Sequence, residues 1–175
     1  AELLSQAGRS DESYRELQAL LRDRPGDVMA HLILADLFLR RGLPTLADEH
    51  VNRALAQQPG DARAYRMRTR ILMALGDHAA AAKLIRQMLE SLPRDAELRL
   101  RLAYCLEQAG EIEAAAAELQ RVARMQAGNA APHVLLAQLY ARDGRPHQAA
   151  EEYRAALRFD PANCAVQKRS EERRV

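Results

Sequence analysis

The chain repeats itself at a fixed step of 34 residues. A glycine series and an acid or amide series both keep this step along the whole sequence: Gly8, Gly42, Gly76, Gly110 and Gly144, and Asp27, Asp61, Asp95, Asn129 and Asn163. A proline series follows them and misses one step, at Ala127: Pro25, Pro59, Pro93 and Pro161. A fixed period of this length is typical of repeat architectures, in which each unit buries its apolar face against its neighbours.

Each series punctuates helices. Glycine suits the residue just after a helix, where a left-handed backbone satisfies the last carbonyl groups. Aspartate or asparagine accepts hydrogen bonds from the free N–H groups at a helix start, and a proline before it stops the preceding helix. Apolar residues between these marks recur at helical spacing, as in Leu32, Ala35 and Phe38, and no segment alternates as a strand would. We therefore expect helix pairs at 28–41/45–57, 62–75/78–91, 96–109/112–125 and 130–143/146–158.

The unit resembles the tetratricopeptide repeat (TPR). Two units carry the resemblance most clearly, with Leu34-Ala35, Phe38, Gly42, Ala47, Ala54 and Pro59 in one, and Leu136-Ala137, Tyr140, Gly144, Ala149, Tyr153, Ala156 and Pro161 in the other. The resemblance implies an all-α fold, a right-handed α-solenoid of helix-turn-helix units with a concave inner face lined by the first helices. It divides the chain into a partial repeat 1–27, repeats 28–61, 62–95, 96–129 and 130–163, and a C-terminal capping helix 164–175.

Some positions depart from the family pattern. The place of an early tryptophan is held by His31, Tyr65, Arg99 and His133. Arg68-Thr69 replaces a small apolar pair, and we expect the loosest packing there. In the partial repeat, Gly8 is expected to end a remnant helix at residues 1–7, which would leave the leucines of the following helix under-covered. We expect fraying or self-association at this end, and a segment excised from a larger protein.

Composition and motifs argue against a catalytic or metal-binding site in the chain. Twenty-six basic and 24 acidic side chains give a net charge of +2, which offers no overall case for binding nucleic acid or an anionic membrane. Cys105 and Cys164 stand far apart, and neither the five histidines nor the serines form a known metal-binding or nucleophile motif. The prediction is a protein that is not an enzyme, with no catalytic residue, no cofactor and no metal ion.

In the TPR family, partners bind on the concave side of the first helices. The resemblance places the following residues of this chain there: Leu32, Asp36, Leu39, Arg40, Arg63, Arg66, Arg70, Met73, Leu100, Arg101, Tyr104, Val134 and Gln138. The family's chaperone-binding pattern of lysine, asparagine and arginine is matched only at Arg101, which argues against a Hsp70/Hsp90 cochaperone.

Three arginines give this predicted face its chemical character. Arg63, Arg66 and Arg70 fall on one helical stripe, with Arg101 expected beside them, and guanidinium groups bind carboxylates with paired hydrogen bonds. An acidic partner segment is one interpretation. The alternative is a set of ion pairs within the repeats, because Asp36 precedes Arg70 by one period and Glu97 follows Arg63 by one period.

The predicted function is a non-catalytic scaffold that binds a protein or peptide segment, with no nucleic acid and no direct membrane insertion. Two alternatives stay open: an accessory or regulatory arm of a larger transferase-type enzyme, and an envelope scaffold for assembly or export of polysaccharide, pilus or outer-membrane parts. A cytoplasmic location is preferred to a periplasmic one.

Overall fold

The computed structural model describes the backbone of residues 2–161 and the side chains of residues 11–161. The chain divides into two compact units, residues 1–77 and 78–175. Unit 1 contains α1 Glu2–Asp23, α2 Val28–Arg40, α3 Pro44–Gln57 and α4 Ala62–Ala74. Unit 2 contains α5 His78–Ser91, α6 Ala96–Gln108, α7 Ile112–Met125, α8 Ala130–Arg142 and α9 Pro146–Phe159. The described residues form helices and turns without a strand, which confirms the all-α prediction, and the bounds of α2–α9 agree with the predicted pairs to within one residue.

The repeated polar and glycine residues cap these helices as predicted. Asp27, Asp61, Asp95 and Asn129 each accept a hydrogen bond from a backbone N–H in the first turn of α2, α4, α6 or α8. Gly110 ends α6 with a φ of 78°, and its N–H bonds the carbonyl of Glu107. An L side chain is strained at that φ, so the 34-residue glycine series follows from backbone geometry.

The first repeat corrects the sequence prediction. Helix α1 runs unbroken from Glu2 to Asp23 and passes through Gly8. A seven-residue helix would need its own costly nucleus, whereas continuing through one glycine costs only about 1 kcal/mol. The predicted remnant helix 1–7 and its turn at Gly8 are therefore wrong. Self-association at this end stays a prediction, and the predicted capping helix 164–175 lies outside the described residues.

Small residues let the paired helices of each unit pack closely. In unit 1, Ala35 of α2 and Ala47 of α3 are both fully buried in one core cluster with Val51 and Ile71. In unit 2, Ala103, Ala115, Ala137 and Ala149 are buried at the same register. Thr69 is only 1% exposed and its Oγ1 donates to the Tyr65 carbonyl at 3.0 Å. The loose packing expected at Arg68-Thr69 is therefore not found at Thr69.

The side chains that replace the early tryptophan tie helices to loops. The Tyr65 hydroxyl donates to the Pro59 carbonyl at 2.8 Å, and Arg99 Nη2 donates to the Pro93 carbonyl at 2.6 Å. Nε2 of His31 lies 3.0 Å from the Pro25 carbonyl. Each of these three residues reaches a carbonyl six positions back, so the departure from the family pattern adds a hydrogen bond between a first helix and the loop before it.

The same register also links the two helices of a repeat. Nδ1 of His31 lies 3.0 Å from Nδ1 of His50, and Nδ1 of His133 lies 2.8 Å from a carboxylate oxygen of Glu152. In repeat 96–129, Arg99 Nη1 lies 2.6 Å from a carboxylate oxygen of Glu118. The two residues of each pair are 19 positions apart, so three of the four full repeats carry a polar link between their first and second helices at this register. Repeat 62–95 has Tyr65 and Leu84 at these places.

Candidate partner-binding face

In unit 1, the first helices α2 and α4 contact each other and present one mixed surface, here called the unit 1 face. It carries apolar and charged side chains: Met29, Ile33, Asp36, Arg40, Arg63, Arg66, Arg70 and Met73. Met29 and Ile33 are 48% and 44% exposed, although both are large and apolar. On α2 these two residues stand on the same stripe as Asp36 and Arg40, because the steps between them are three or four residues.

Asp36 joins the two helices of this face. Its Oδ1 accepts from Arg70 Nη1 on α4 at 2.7 Å, and its Oδ2 lies 2.7 Å from Arg40 Nε on α2. This is the ion pair that the one-period spacing of Asp36 and Arg70 predicted. The corresponding expectation for Glu97 and Arg63 stays a prediction. One carboxylate serves two guanidinium groups here, so the cluster keeps a net positive charge.

Arg63 is held at the start of α4. Its Nη2 donates to Oδ2 of Asp61 at 2.6 Å, while Oδ1 of Asp61 caps the helix by accepting from the Arg63 and Ala64 N–H groups. The hydrogen bond from the Arg63 guanidinium holds the pKa of Asp61 below its usual value, and the same bond raises the pKa of Arg63. Nη1 of Arg63 also contacts Sδ of Met29, which places this arginine over α2. Arg66, partly exposed, stands between Arg63 and Arg70 on the stripe.

In unit 2, the corresponding face of α6 and α8 is less basic. Arg101 Nη2 lies 2.6 Å from Glu97 one turn away, and Arg142 Nη2 of α8 lies 2.7 Å from Glu107 of α6. Tyr104 is 45% exposed and meets the ring of His78 edge-on at 5.8 Å. The paired acids balance the paired arginines, so Tyr104 is the distinctive contact group of this face.

The apolar members of the predicted surface differ in accessibility. Leu32 is 7% exposed and lies in the core cluster of unit 1, so it offers no surface to a partner and its predicted accessibility is wrong. The fifth helical place points Leu32 into the contact between helices. Leu39 packs partly buried against the same core. The remaining predicted contacts are also only partly buried: Met73, Leu100, Val134 and Gln138.

Exposed apolar residues also lie outside the predicted set of contacts. Ile33 and Leu135, which is 37% exposed, occupy the sixth place of their repeats. The available signal in the sequence was Ile33, a large aliphatic residue four positions after Met29, because residues at this spacing share one face of a helix. The predicted set includes this place only at Arg101, in repeat 96–129.

Within residues 11–161, no group of three or more histidine, cysteine, aspartate or glutamate side chains is arranged to hold a metal ion. The one free thiol described, Cys105, is buried, and burial raises its pKa. Over the same part of the chain, every helix is too short or too polar to span a bilayer.

Family models assign the repeats. Three models described as tetratricopeptide repeat match residues 1–62, 72–139 and 130–163. Together these matches account for most of the sequence, and the chain belongs to the tetratricopeptide repeat family. A search of curated proteins gives no significant match.

Solved structures show the same fold at low sequence identity. MamA 41-end from Desulfovibrio magneticus RS-1 is 15% identical, with a TM-score of 0.79 over 93% of this chain and 92% of that chain. YrrB, described as a TPR protein with an unusual peptide-binding site, is 17% identical, with a TM-score of 0.75 over 97% of this chain and 88% of that one. TTC0263, a thermophilic TPR protein in Thermus thermophilus, is 24% identical, with a TM-score of 0.65 over 98% of this chain and 93% of that one. These similarities show a TPR fold.

Proposed function

We propose that this chain is a non-catalytic protein-interaction module that binds a segment of a protein partner on the first helices of its repeats. In unit 1 the segment lies on the unit 1 face and carries apolar and acidic side chains. The family membership and the peptide-binding site of the structural neighbour YrrB support a scaffold of this kind.

One observation carries the proposal: exposed Met29 and Ile33 stand among arginines that outnumber the acids. The unit 1 face and its capping residue hold four arginines against Asp36 and Asp61. Large apolar side chains on an exposed and charged surface are typical of interaction sites, since isolated folding would favour polar residues there. Arginine is enriched at binding hot spots because its planar group makes paired hydrogen bonds with carboxylates.

The ion pairs on this face orient the arginines. Asp36 holds Arg40 and Arg70 at fixed positions, and Asp61 does the same for Arg63. A guanidinium has five N–H donors, so a bridged arginine keeps donors for a second carboxylate. Ordering these long side chains in advance lowers the entropy lost when the partner binds.

The test is a selection of peptides on the whole chain from a phage-displayed library, followed by affinity measurement by fluorescence anisotropy. The double variant Ile33→Glu/Arg66→Glu should weaken the selected peptides at least tenfold. The matched control Leu46→Glu/Arg24→Glu makes the same charge changes at exposed positions outside the unit 1 face and should leave affinity within twofold. Equal losses in both variants, or affinity that neither changes, would refute a site on this face.

A further inference from the structure

An outer groove occurs at the same register in both units, on the side formed by second helices. In unit 1 it is about 300 Å³ and lies among α1, α2 and α3, with six lining residues: Gln18, Leu21, Arg22, Leu34, His50 and Arg53. In unit 2 it is about 450 Å³ and lies among α5, α6 and α7, where the residues two repeats later include Arg86, Leu89, Glu90, Leu102, Glu118 and Arg121. The two grooves therefore compare position by position.

The unit 2 groove contains its own carboxylate. Glu118 is only 8% exposed, and its two oxygens lie 2.6 Å from Arg99 Nη1 and 2.5 Å from Arg121 Nη1. A carboxylate at this register is thus bound by an arginine of the same helix, one turn further on. Charge-assisted pairs of this kind are the strong hydrogen bonds of protein surfaces and interiors.

The unit 1 groove has the arginine without the carboxylate. His50 occupies the register of Glu118, and Arg53 occupies the register of Arg121. The His50 ring faces Nδ1 of His31 at 3.0 Å and stacks on Phe38, with ring centroids 5.4 Å apart. Burial and the neighbouring His31 and Arg53 lower the pKa of His50 to about 4, so the ring is neutral at pH 7.

Arg22 contributes a second positive charge to the unit 1 groove. The ion pairs made by side chains of residues 11–161 include neither Arg22 nor Arg53, and the lining of this groove contains no acidic residue. Leu21 and the buried Leu34 give the groove an apolar floor. The combination is two guanidinium groups beside an apolar surface.

We propose that the unit 1 outer groove is a second binding site, which takes a protein segment presenting a glutamate or aspartate next to a leucine-like side chain. The partner's carboxylate would lie between Arg22 and Arg53. Arg53 would bind it as Arg121, at the same register, binds Glu118 in unit 2, and Arg22 stands where unit 2 has Glu90. The apolar side chain rests on Leu21. This site is separate from the unit 1 face, because its lining residues belong to α1 and α3 and to the opposite register of α2.

The probe is a fluorescein-labelled peptide of sequence LEELLEELLEEL, with LQQLLQQLLQQL as the uncharged counterpart. Binding to the full chain is followed by fluorescence anisotropy at low ionic strength. The variant Arg22→Glu/Arg53→Glu should weaken the acidic peptide at least tenfold, and Arg22→Gln/Arg53→Gln, which avoids charge reversal at the end of α1, should weaken it about threefold or more. The control Arg94→Glu/Arg124→Glu makes the same change in net charge at exposed sites elsewhere and should retain affinity within twofold.

The outcomes separate this site from the proposed function. The outer site is supported if the Arg22/Arg53 variants lose affinity for the acidic peptide while Ile33→Glu/Arg66→Glu retains it. Loss in Ile33→Glu/Arg66→Glu, alone or together with the groove variants, overturns it and assigns the peptide to the unit 1 face. No binding of the acidic peptide, or equal binding of the glutamine peptide, also overturns it. Circular dichroism melts of each variant confirm that the helices are intact.

Discussion

The contact between His31 and His50 predicts an acid-dependent loss of stability that one substitution removes. In the folded chain the pKa of His50 falls from 6.5 to about 4, chiefly because burial disfavours the charged ring and because His31 and Arg53 lie close to it. The unfolded chain accepts a proton at this residue as the pH falls through 6.5, whereas the folded chain resists it until about pH 4. Stability from His50 is therefore present above pH 6.5 and is lost as the pH falls toward 4.

The magnitude follows from the pKa difference. Each tenfold change in proton affinity corresponds to about 1.4 kcal/mol. The full pKa difference of His50 between the folded and unfolded chains would therefore change the free energy of unfolding by roughly 3 kcal/mol. His50 is only partly buried, so solvent screening reduces the expected effect to about 1 to 2 kcal/mol.

The assay compares the chain with its His50→Gln variant by urea unfolding at 222 nm. Glutamine keeps an N–H donor for Nδ1 of His31 and does not titrate in this range, so the many carboxylates shared by both proteins cancel in the difference. The stability advantage of the original chain over the variant should shrink by about 1 to 2 kcal/mol between pH 7.5 and pH 4.5. A difference that stays constant within about 0.3 kcal/mol would refute the reasoning, because it would mean that His50 titrates alike in the folded and unfolded chains.

Two further pairs of substitutions test the turns and the links between helices. Gly110→Ala should lower the free energy of unfolding by about 1 kcal/mol, because φ is 78° at Gly110. The control Gly60→Ala should change it by less than about 0.5 kcal/mol, because a Cβ there meets open space and φ is not positive. Urea unfolding measures both. Glu118→Gln should lower the free energy of unfolding by about 3 kcal/mol, because it leaves two guanidinium groups around a neutral buried amide. The control Glu111→Gln removes an exposed 3.4 Å pair with Arg86 and should lower it by less than about 1 kcal/mol. Equal costs for the two glutamates would contradict the buried role of Glu118.

Much of the fold could be predicted because local chemistry marks its boundaries. Aspartate and asparagine caps and left-handed glycines act within a few residues, so the start and end of α2–α9 can be placed from the sequence. The predicted helix end at Gly8 is wrong because glycine is tolerated inside a helix when no competing turn is stabilised.

The links that the fourth place of three repeats makes to the second helix were harder to predict. The sequence shows that His31, Arg99 and His133 stand at the family's early tryptophan place, but it does not show what these side chains contact. Their partners stand on the next helix, 19 residues later, and side-chain direction decides whether the two meet. The Arg99–Glu118 and His133–Glu152 spacings hold a complementary charge pattern that could have indicated these links.

The candidate face could be predicted only in part. The Asp36–Arg70 pair follows from the period, because residues one repeat apart on adjacent first helices share a register. The burial of Leu32 does not follow from the period, because the fifth position of a first helix lies between the surface and the core. Packing between helices decides that position, and a helical pattern alone does not resolve it.

We propose that the partner binds the first helices, and ¹⁵N–¹H chemical-shift mapping with a library-selected peptide locates its binding site residue by residue. We expect the largest shifts on α2 and α4, around Ile33, Asp36 and Arg66, and we expect them to saturate as the peptide is added. Saturating shifts confined to the second helices α3, α5, α7 and α9 would contradict it.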